Sequence, residues 1–530
     1  MSKLPNTMPM TPAPGRPAPC GRANSALLLV LATIAALGGL VLVLTMLDRS
    51  EHGESAEELN LFCAAGLRQP VEEVVAEYQR RYQVPVRVQY GGSNTLLSQI
   101  EAGGVGDLYL AGEEIYAQQA RQKGLAREIL PIALQRPVIA VAKGNPKRIE
   151  KLDDLLRDDV RVALANPDQA AIGKLARDLL ESAGVWTKLQ RQVTVRGVFK
   201  PTVTDLANDL KLGSVDAAIL WNATVAQYPE LEAIRCNALE AGTARMVVSV
   251  LTSANRPPAA LRFARYLTAK DRGLGAFTAK GYEVVDADLW AESPEITFFV
   301  GSVNRRAIED TVKAFQQREG VTVNTVYNGC GILTAQMKSI RDKQSGGFPD
   351  LYMACDVYYL QNVKEWFQEA AEVSDNQIVM VVEKDNPKNI HDLKDLLRPG
   401  VRVVVGQPEQ CTIGALTRRM LENEGLYEGV MENVVSQTAT SAMLLPAVTT
   451  ASADVALAYD TDALAEPGRI EIVRIDSKYT KAIQPFAIAK SSEHKQLARR
   501  LFQALAESQA KFEAAGFGWR MICPAPGFED

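Results

Sequence analysis

Two short stretches place a hydroxyl or thiol side chain and glycines at the start of a predicted helix. In residues 90–97, Gly91 and Gly92 precede Ser93. Glycine lets the backbone approach a small partner closely, and the free N–H groups and dipole of a helix N-terminus favour an anion. The pattern returns in residues 327–333, where Cys330 follows Gly329. The spacing therefore predicts two anion sites of similar design, although an ordinary N-cap role for Ser93 is the alternative.

Strand-like runs precede both turns, at 84–89 and 321–326. Along the whole chain, apolar runs of four to eight residues alternate with segments of helical periodicity, a pattern typical of an α/β protein with a mostly parallel sheet. Ligands of such sheets bind at the carboxyl ends of the strands. The turns at 64–67, 91–93 and 111–113 are expected to lie together at this edge.

The chain contains an internal duplication. Residues 143–157 closely match residues 384–398, and each segment is followed by Val-Arg-Val; residues 166–173 likewise match 407–414. This order of matches predicts two tandem α/β units, each with two lobes and a cleft. We place unit one at 59–283, a linker at 284–295 and unit two at 296–525.

Composition narrows the class of protein. The 530 residues exceed what one hydrophobic core usually organises, and the formal net charge of -5 gives no sign of nucleic-acid binding. Only three histidines occur, and none is near another. The sequence therefore offers almost no residues for a histidine metal cluster or a Ser-His-Asp triad. The seven cysteines match no zinc motif.

The N-terminus indicates export. Residues 1–24 are rich in proline and basic without any acid, which predicts a disordered cytoplasmic tail, and residues 25–47 carry no charge. Roughly 20 apolar residues span a bilayer, and the basic flank places the bulk of the chain outside the cytoplasm, in the periplasm. A single-pass membrane anchor is therefore expected, with a cleaved signal peptide as the alternative.

The order of motifs resembles the molybdate-binding proteins of ABC importers, which have the type II periplasmic-binding fold. The motifs are Ala-Ala-Gly-Leu (64–67), Tyr-Gly-Gly-Ser (90–93), Asp-Leu-Tyr-Leu-Ala (107–111), Lys-Gly-Asn-Pro (143–146) and Ala-Ile-Leu-Trp (218–221). The resemblance covers both repeats. It implies a binding protein, not an enzyme, that needs no cofactor, captures a tetrahedral oxyanion such as molybdate or tungstate, and passes it to an ABC permease.

The resemblance also implies a ligand set of two serine hydroxyls, backbone N–H groups at helix starts and a tyrosine. Carried onto this sequence, these positions are Gly66, Ser93, Ile172, Val203 and Trp221 in unit one. In unit two they are Ser302, Cys330, Ile413, Ser441 and Tyr459. Neither unit has the complete set, since Gly66, Trp221 and Cys330 depart from it. Trp221 is expected to be a pocket wall or core residue rather than a hydrogen-bond donor.

Other functions are weighed against this one. Cys330, Cys355 and Cys411 are all predicted on loops of one cleft, where thiolates could bind a soft metal or two thiols could form a disulfide, unless all three are inert buried thiols. A ligand sensor is a further alternative. An enzyme would need acid–base groups such as Glu113, Glu114 or Asp356, but no nucleophile or phosphate-loop motif accompanies them.

Overall fold

The computed structural model describes residues 58–343, 346–464, 466 and 468–521. The predicted tail at 1–24 and the predicted membrane segment at 25–47 lie outside these residues. Within the part of the chain that the structure describes, no helix is long and apolar enough to cross a membrane. The described residues from Glu58 onward form one compact unit.

Unit one consists of eleven strands and ten α-helices among the described residues. The strands are β1 (Leu59–Ala64), β2 (Val86–Gly91), β3 (Leu108–Ala111), β4 (Ala126–Gln135), β5 (Pro137–Ala142), β6 (Val162–Ala165), β7 (Val198–Lys200), β8 (Ala217–Trp221), β9 (Leu231–Ile234), β10 (Ala244–Leu251) and β11 (Glu283–Val284). The helices are α1 (Arg68–Tyr82), α2 (Ser93–Glu101), α3 (Glu114–Gln122), α4 (Ala171–Ser182), α5 (Trp186–Arg196), α6 (Val203–Lys211), α7 (Asn222–Ala226), α8 (Asn237–Glu240), α9 (Pro257–Thr268) and α10 (Gly273–Ala279).

Two sheets divide unit one into two lobes. Lobe A contains the sheet β11-β4-β10-β3-β1-β2, and lobe B contains the sheet β7-β6-β8-β5-β9. Strands β3 and β6 are buried at every residue, because each lies inside its sheet with helices on the faces. The prediction of a two-lobed α/β unit is confirmed.

The prediction of a mostly parallel sheet is wrong in detail. In lobe A, β1 pairs in parallel with β2 and β3, whereas β10 is antiparallel to both β3 and β4. In lobe B, β5 is antiparallel to β8 and β9. The reversed strands are those that carry the chain from one lobe to the other, so they enter each sheet against the direction of the βαβ strands.

Unit two repeats this plan. Its strands are β12 (Glu295–Gly301), β13 (Thr322–Asn328), β14 (Leu351–Met353), β15 (Phe367–Glu383), β16 (Val403–Gly406), β17 (Val434–Thr438), β18 (Val455–Tyr459), β19 (Ile470–Arg474), β20 (Lys481–Ala489) and β21 (Gly518–Trp519). Its helices are α11 (Arg305–Glu319), α12 (Cys330–Asp342), α13 (Val357–Gln361), α14 (Thr412–Asn423), α15 (Tyr427–Glu432), α16 (Leu444–Thr449), α17 (Asp460–Ala463), α18 (Lys495–Ala506) and α19 (Gln509–Ala514).

The two units differ where the lobes join. In unit two, β15 runs without a break through both lobes: its first part pairs with β20, and its second part pairs with β18 and β19. In unit one, the same path is divided into β4 and β5, and only Arg136 lies between them. Pro137, which opens β5, cannot donate a hydrogen bond to a neighbouring strand, so the ladder is interrupted there.

A buried ion-pair cluster joins the two units. Glu319, at the end of α11, accepts hydrogen bonds from Arg265 of unit one at 2.9 Å and from Arg500 of unit two at 2.6 Å. Burial opposes the charge of this carboxylate, but Arg500 and Arg265 hold the pKa of Glu319 below its usual value. Arg265 lies on α9, Glu319 on α11 and Arg500 on α18, so the cluster joins three helices from the two units.

Candidate functional site

The five residues predicted to bind ligand in unit one line a single cavity. Gly66, Ser93, Ile172, Val203 and Trp221 all contribute to its wall, although they come from widely separated segments and from both lobes. The cavity measures about 30 Å³. Sites for organic ligands usually measure several hundred Å³, so this one suits an ion rather than a larger solute.

Ser93 is not a conventional N-cap. Helix α2 begins at Ser93 itself, and Gly92 is the capping residue, so the N-cap alternative is wrong. The Ser93 hydroxyl is buried and accepts a hydrogen bond of 3.1 Å from the backbone N–H of Gly112, after β3. This contact fixes the oxygen and leaves the hydroxyl proton free to be donated to a ligand.

Two further helices direct their first turns at the cavity. Ile172 is the second residue of α4 and Val203 is the first residue of α6. N–H groups at these positions have no partner within the helix, and neither donates to a backbone carbonyl among the described residues. Thr202 is the N-cap residue of α6, and its side-chain oxygen accepts a hydrogen bond from the backbone N–H of Asp205. The N-cap therefore does not bind the N–H of Val203. These groups are suited to bind an anion.

The two lobes of unit one touch across the cleft. The backbone N–H of Asn94 donates to Gln169 O at 3.1 Å, and the Asn94 side chain donates to Asp168 O at 2.7 Å. The expectation that the first N–H groups of α2 are unpaired is therefore wrong for Asn94, because a carbonyl of lobe B occupies it. The structure is a closed form of the cleft.

Gly66 and Trp221, the two unit-one residues that depart from the ligand set, form parts of the cavity wall. A Cβ atom on Gly66 would lie 2.7 Å from Cγ2 of Val203, so the valine methyl fills space that a serine side chain would need. Trp221 ends β8, is buried, and presents its indole to the cavity wall. The Val203 methyl group and the Trp221 indole make the cavity narrower. The choice between ligands therefore depends on the polar donors.

Residues that no motif singled out also reach the cleft. Gln135, the last residue of β4, lines the cavity, and so does Thr202. The only sequence signal for Gln135 was a polar residue at the end of an otherwise apolar run that precedes Pro137. Nearby, burial raises the pKa of Glu113 to about 7, although Lys174 across the cleft acts to lower it.

Two cysteine thiols, those of Cys330 and Cys355, are in contact in the cleft of unit two. The Sγ atoms of Cys330 and Cys355 lie 3.1 Å apart, and Cys355 N–H also donates to Cys330 Sγ at 3.1 Å. A Cβ atom on Gly301 would lie 2.2 Å from Cys355 Sγ and 2.6 Å from Cys330 Sγ, so both thiols pack against this glycine. The position that holds the Ser93 hydroxyl in unit one therefore holds a weakly hydrogen-bonding thiol in unit two.

Burial acts to raise the pKa of the Cys330 thiol, but hydrogen bonds with Cys355, Thr412 and Tyr352 together outweigh it and lower the pKa. The pKa of Cys355 is raised well above its usual value by its hydrogen bond with Cys330 and by burial. Burial raises the pKa of Cys411 to about 12.

The other predicted residues of unit two lie at or near the starts or ends of their elements. Ile413 is the second residue of α14, Ser441 begins a short 3-10 turn, and both are buried. Tyr459 ends β18, and its buried hydroxyl has no hydrogen-bond partner. Ser302 is half-buried and donates to Asn328 O at 3.4 Å.

The structure bears on the roles predicted for the cysteines, namely a disulfide or a soft-metal site. The five cysteines that the structure describes are free thiols, so the disulfide is not formed here. Among the described residues, no group of three or more His, Cys, Asp and Glu side chains is arranged to hold a metal ion. The trio Cys330, Cys355 and Cys411 therefore gains no support as a three-ligand metal site.

Comparison with known proteins gives the family. A family model described as a bacterial extracellular solute-binding protein matches residues 59–283 and, separately, residues 296–518. The chain belongs to this family. It is similar to a putative binding protein of Haemophilus influenzae, with 32% identity over 165 residues that cover 31% of this chain and 66% of that protein. It is also similar to the molybdate-binding protein ModA of Mycobacterium tuberculosis, with 29% identity over 185 residues that cover 34% and 67%.

The chain thus spans about two thirds of the length of these relatives. Among solved structures, the Azotobacter vinelandii periplasmic molybdate-binding protein aligns at 17% identity with a TM-score of 0.39, covering 43% of this chain and 100% of that chain. The sulfate-binding protein SubI of Mycobacterium tuberculosis aligns at 22% identity with a TM-score of 0.36, covering 44% and 88%.

The family assigns a general role to this chain. It is an extracytoplasmic solute-binding protein, a non-enzymatic component of ABC import, and it occurs here in two tandem copies. A small solute and an ABC transporter are the partners that the family implies. The enzyme alternative built on Glu113, Glu114 and Asp356 is therefore set aside.

Proposed function

We propose that unit one captures a small tetrahedral oxyanion, a class that includes molybdate and tungstate, and that the protein delivers it to an ABC permease. The molybdate-binding relatives support this class of ligand. The predicted membrane segment at 25–47 would hold the protein at the outer face of the cell membrane, where it can meet the permease. Its two binding units would then extend into the periplasm.

The observation that carries the proposal is the convergence of uncharged donors on one small cavity. Three residues that line the cavity would supply them: Ser93 with its hydroxyl, and Ile172 and Val203 with their backbone N–H groups. Among the described residues, no lysine or arginine lines this cavity. Hydrogen bonds to a charged partner are worth roughly 1.5–3 kcal/mol each, so several aligned donors can hold a dianion without a cationic side chain.

Calorimetric titration of the purified full-length protein with molybdate, tungstate, sulfate and phosphate tests this proposal. We expect saturable binding of at least one of these ions, weakened roughly 10- to 100-fold in Ser93→Ala because a donor to the anion is lost. Ser98→Ala, on the exposed face of the same helix, is the matched control and should bind as the wild type does. No binding of any tetrahedral oxyanion would refute the proposal.

A second candidate, that unit two binds a soft cation for sensing or transport, has one observation in its favour. Cys330 and Cys355 are buried thiols in direct contact, and two thiolates suit a two-coordinate ion such as Cu(I). Titration with Cu(I) in competition with a chromogenic chelator would test it. Binding that is lost in Cys330→Ser but retained in Cys236→Ser would favour this candidate, and equal binding by both variants would exclude it.

A further inference from the structure

Gln135 contains a buried acceptor that no part of the described chain satisfies. The side chain is 1% exposed, and its Nε2 donates to the carbonyl oxygen of Gly112 at 2.7 Å. A carbonyl oxygen can only accept, so this bond fixes the orientation of the amide. The other end of the amide, Oε1, is buried and has no hydrogen-bond partner.

This orphaned oxygen belongs to a residue of the cleft. Gln135 lines the same cavity as Ser93 and Trp221. Leaving a buried acceptor unsatisfied costs about 1–3 kcal/mol, a factor of roughly 10 to 100 in an equilibrium constant. A ligand that donates a hydrogen bond to Oε1 would recover this loss when it binds.

Unit two provides an internal comparison. Gln135 pairs with Ala244 in the sheet of lobe A, and Asn376 pairs with Ala482 at the corresponding place in unit two. Asn376 is fully engaged: its Oδ1 accepts from Gln484 Nε2 at 3.0 Å, and its Nδ2 donates to Thr461 Oγ1 at 3.2 Å.

The partner that satisfies Asn376 is missing from unit one. Gln484 follows Ala482 by two residues and also donates to Cys355 O at 2.9 Å. The residue that follows Ala244 by two is Met246, which is buried and has no N–H group in its side chain. Gln135 therefore makes the carbonyl contact that Gln484 makes in unit two, and its own oxygen is left free.

We propose that Gln135 Oε1 selects, among tetrahedral oxyanions, those that carry a proton. The inference rests on the proposed function of unit one. A protonated oxygen donates to Oε1, whereas a bare anionic oxygen would face its lone pairs and be repelled. At neutral pH phosphate and arsenate retain at least one O–H group, but sulfate, molybdate and tungstate do not. The cleft of unit one therefore favours phosphate and arsenate over the ions that its relatives suggest.

Competition titrations of the full-length protein with inorganic phosphate, arsenate, sulfate and molybdate provide the test. We expect phosphate and arsenate to bind roughly 10- to 100-fold more tightly than sulfate and molybdate. Gln135→Met, which removes the acceptor, should reduce this preference to about onefold. Met246→Gln leaves Gln135 in place but supplies the donor found in unit two, and it should reduce the preference in the same way.

Thermal unfolding shows whether each variant is folded. If one variant does not fold, the ion preference of the other is compared with that of the wild type. Equal or tighter binding of sulfate or molybdate by the wild type would overturn the role of Gln135 while leaving an oxyanion function for unit one. The same conclusion would follow if both variants weakened all four ions equally. No binding of any of the four ions would overturn both proposals.

Discussion

Gly92 and Gln169 face each other across the closed cleft of unit one, and a Cβ atom on Gly92 would lie 2.4 Å from the carbonyl oxygen of Gln169. Unit two repeats the relationship, since a Cβ atom on Gly329 would lie 2.5 Å from Gln410 O. The backbone of Gly92 has φ -68 and ψ 143, which any residue can adopt. The glycine is therefore required by the approach of the two lobes and not by its own conformation.

Gly92→Ala is expected to obstruct closure of unit one. The added methyl group must displace the Gln169 backbone, and overpacking of this kind costs about 1–3 kcal/mol, so ligand affinity should fall roughly 10- to 100-fold. Titration calorimetry measures the affinity, and small-angle X-ray scattering should show less compaction with ligand. Gly275→Ala is the control, since a Cβ atom there meets nothing within 4 Å. Unchanged affinity in Gly92→Ala would show that the ligand binds without this closed contact.

The full-length protein is expected to bind one oxyanion per chain. In unit two, Cys330 replaces the serine hydroxyl, and its thiol packs with that of Cys355 against Gly301. Titration should give a stoichiometry near one, and Cys330→Ser should leave the affinity of that site unchanged because it alters only unit two. A stoichiometry of two, or loss of binding in Cys330→Ser, would show that the second cleft holds an oxyanion.

Glu113→Gln should change how stability depends on pH. Burial raises the pKa of Glu113 to about 7 from an ordinary value of 4.5, so the folded state holds a proton that the unfolded state has lost. Wild-type stability should therefore fall as the pH rises through this interval, and the variant should lack that component. Denaturant unfolding should show Glu113→Gln to be more stable than the wild type by roughly 1–3 kcal/mol at pH 8. At pH 4, below both values, the two proteins should be alike; an equal difference at both pH values would contradict this explanation.

Removing the charge of Glu319 should destabilise the junction of the two units. Glu319→Gln leaves Arg265 and Arg500 buried without their carboxylate, and loss of one partner from a buried ion pair typically costs about 3–5 kcal/mol. Thermal unfolding of the variant should begin well below that of the wild type. Glu309→Gln removes the charge from the exposed pair with Arg305, and its unfolding temperature should stay close to that of the wild type because water screens such a pair. Similar losses in both variants would mean that the buried cluster does not stabilise the junction.

Local features of the sequence are enough to predict the individual elements and their duplication. Apolar periodicity and turn residues predicted the strands that precede Ser93 and Cys330, and matched segments showed that the plan occurs twice. These features could be predicted because hydrophobic spacing and glycine placement act over a few residues. The resemblance to a known family then placed Gly66, Ile172, Val203 and Trp221 with Ser93, and the structure brings all five to one cavity.

Which polar groups in the clefts remain free depends on contacts between distant parts of the fold. Asn94 N–H is occupied by Gln169 O, Ser93 Oγ is held by Gly112 N–H, and Gln135 Oε1 is left without a donor. None of these outcomes follows from local sequence, because each partner lies on a distant segment or in the opposite lobe. The contact between Cys330 and Cys355 is of the same kind, since it depends on how two strands of one sheet bring their following loops together. Hydrogen-bond satisfaction in a buried cleft is a property of the folded whole, and it is this property that sets what the cleft can bind.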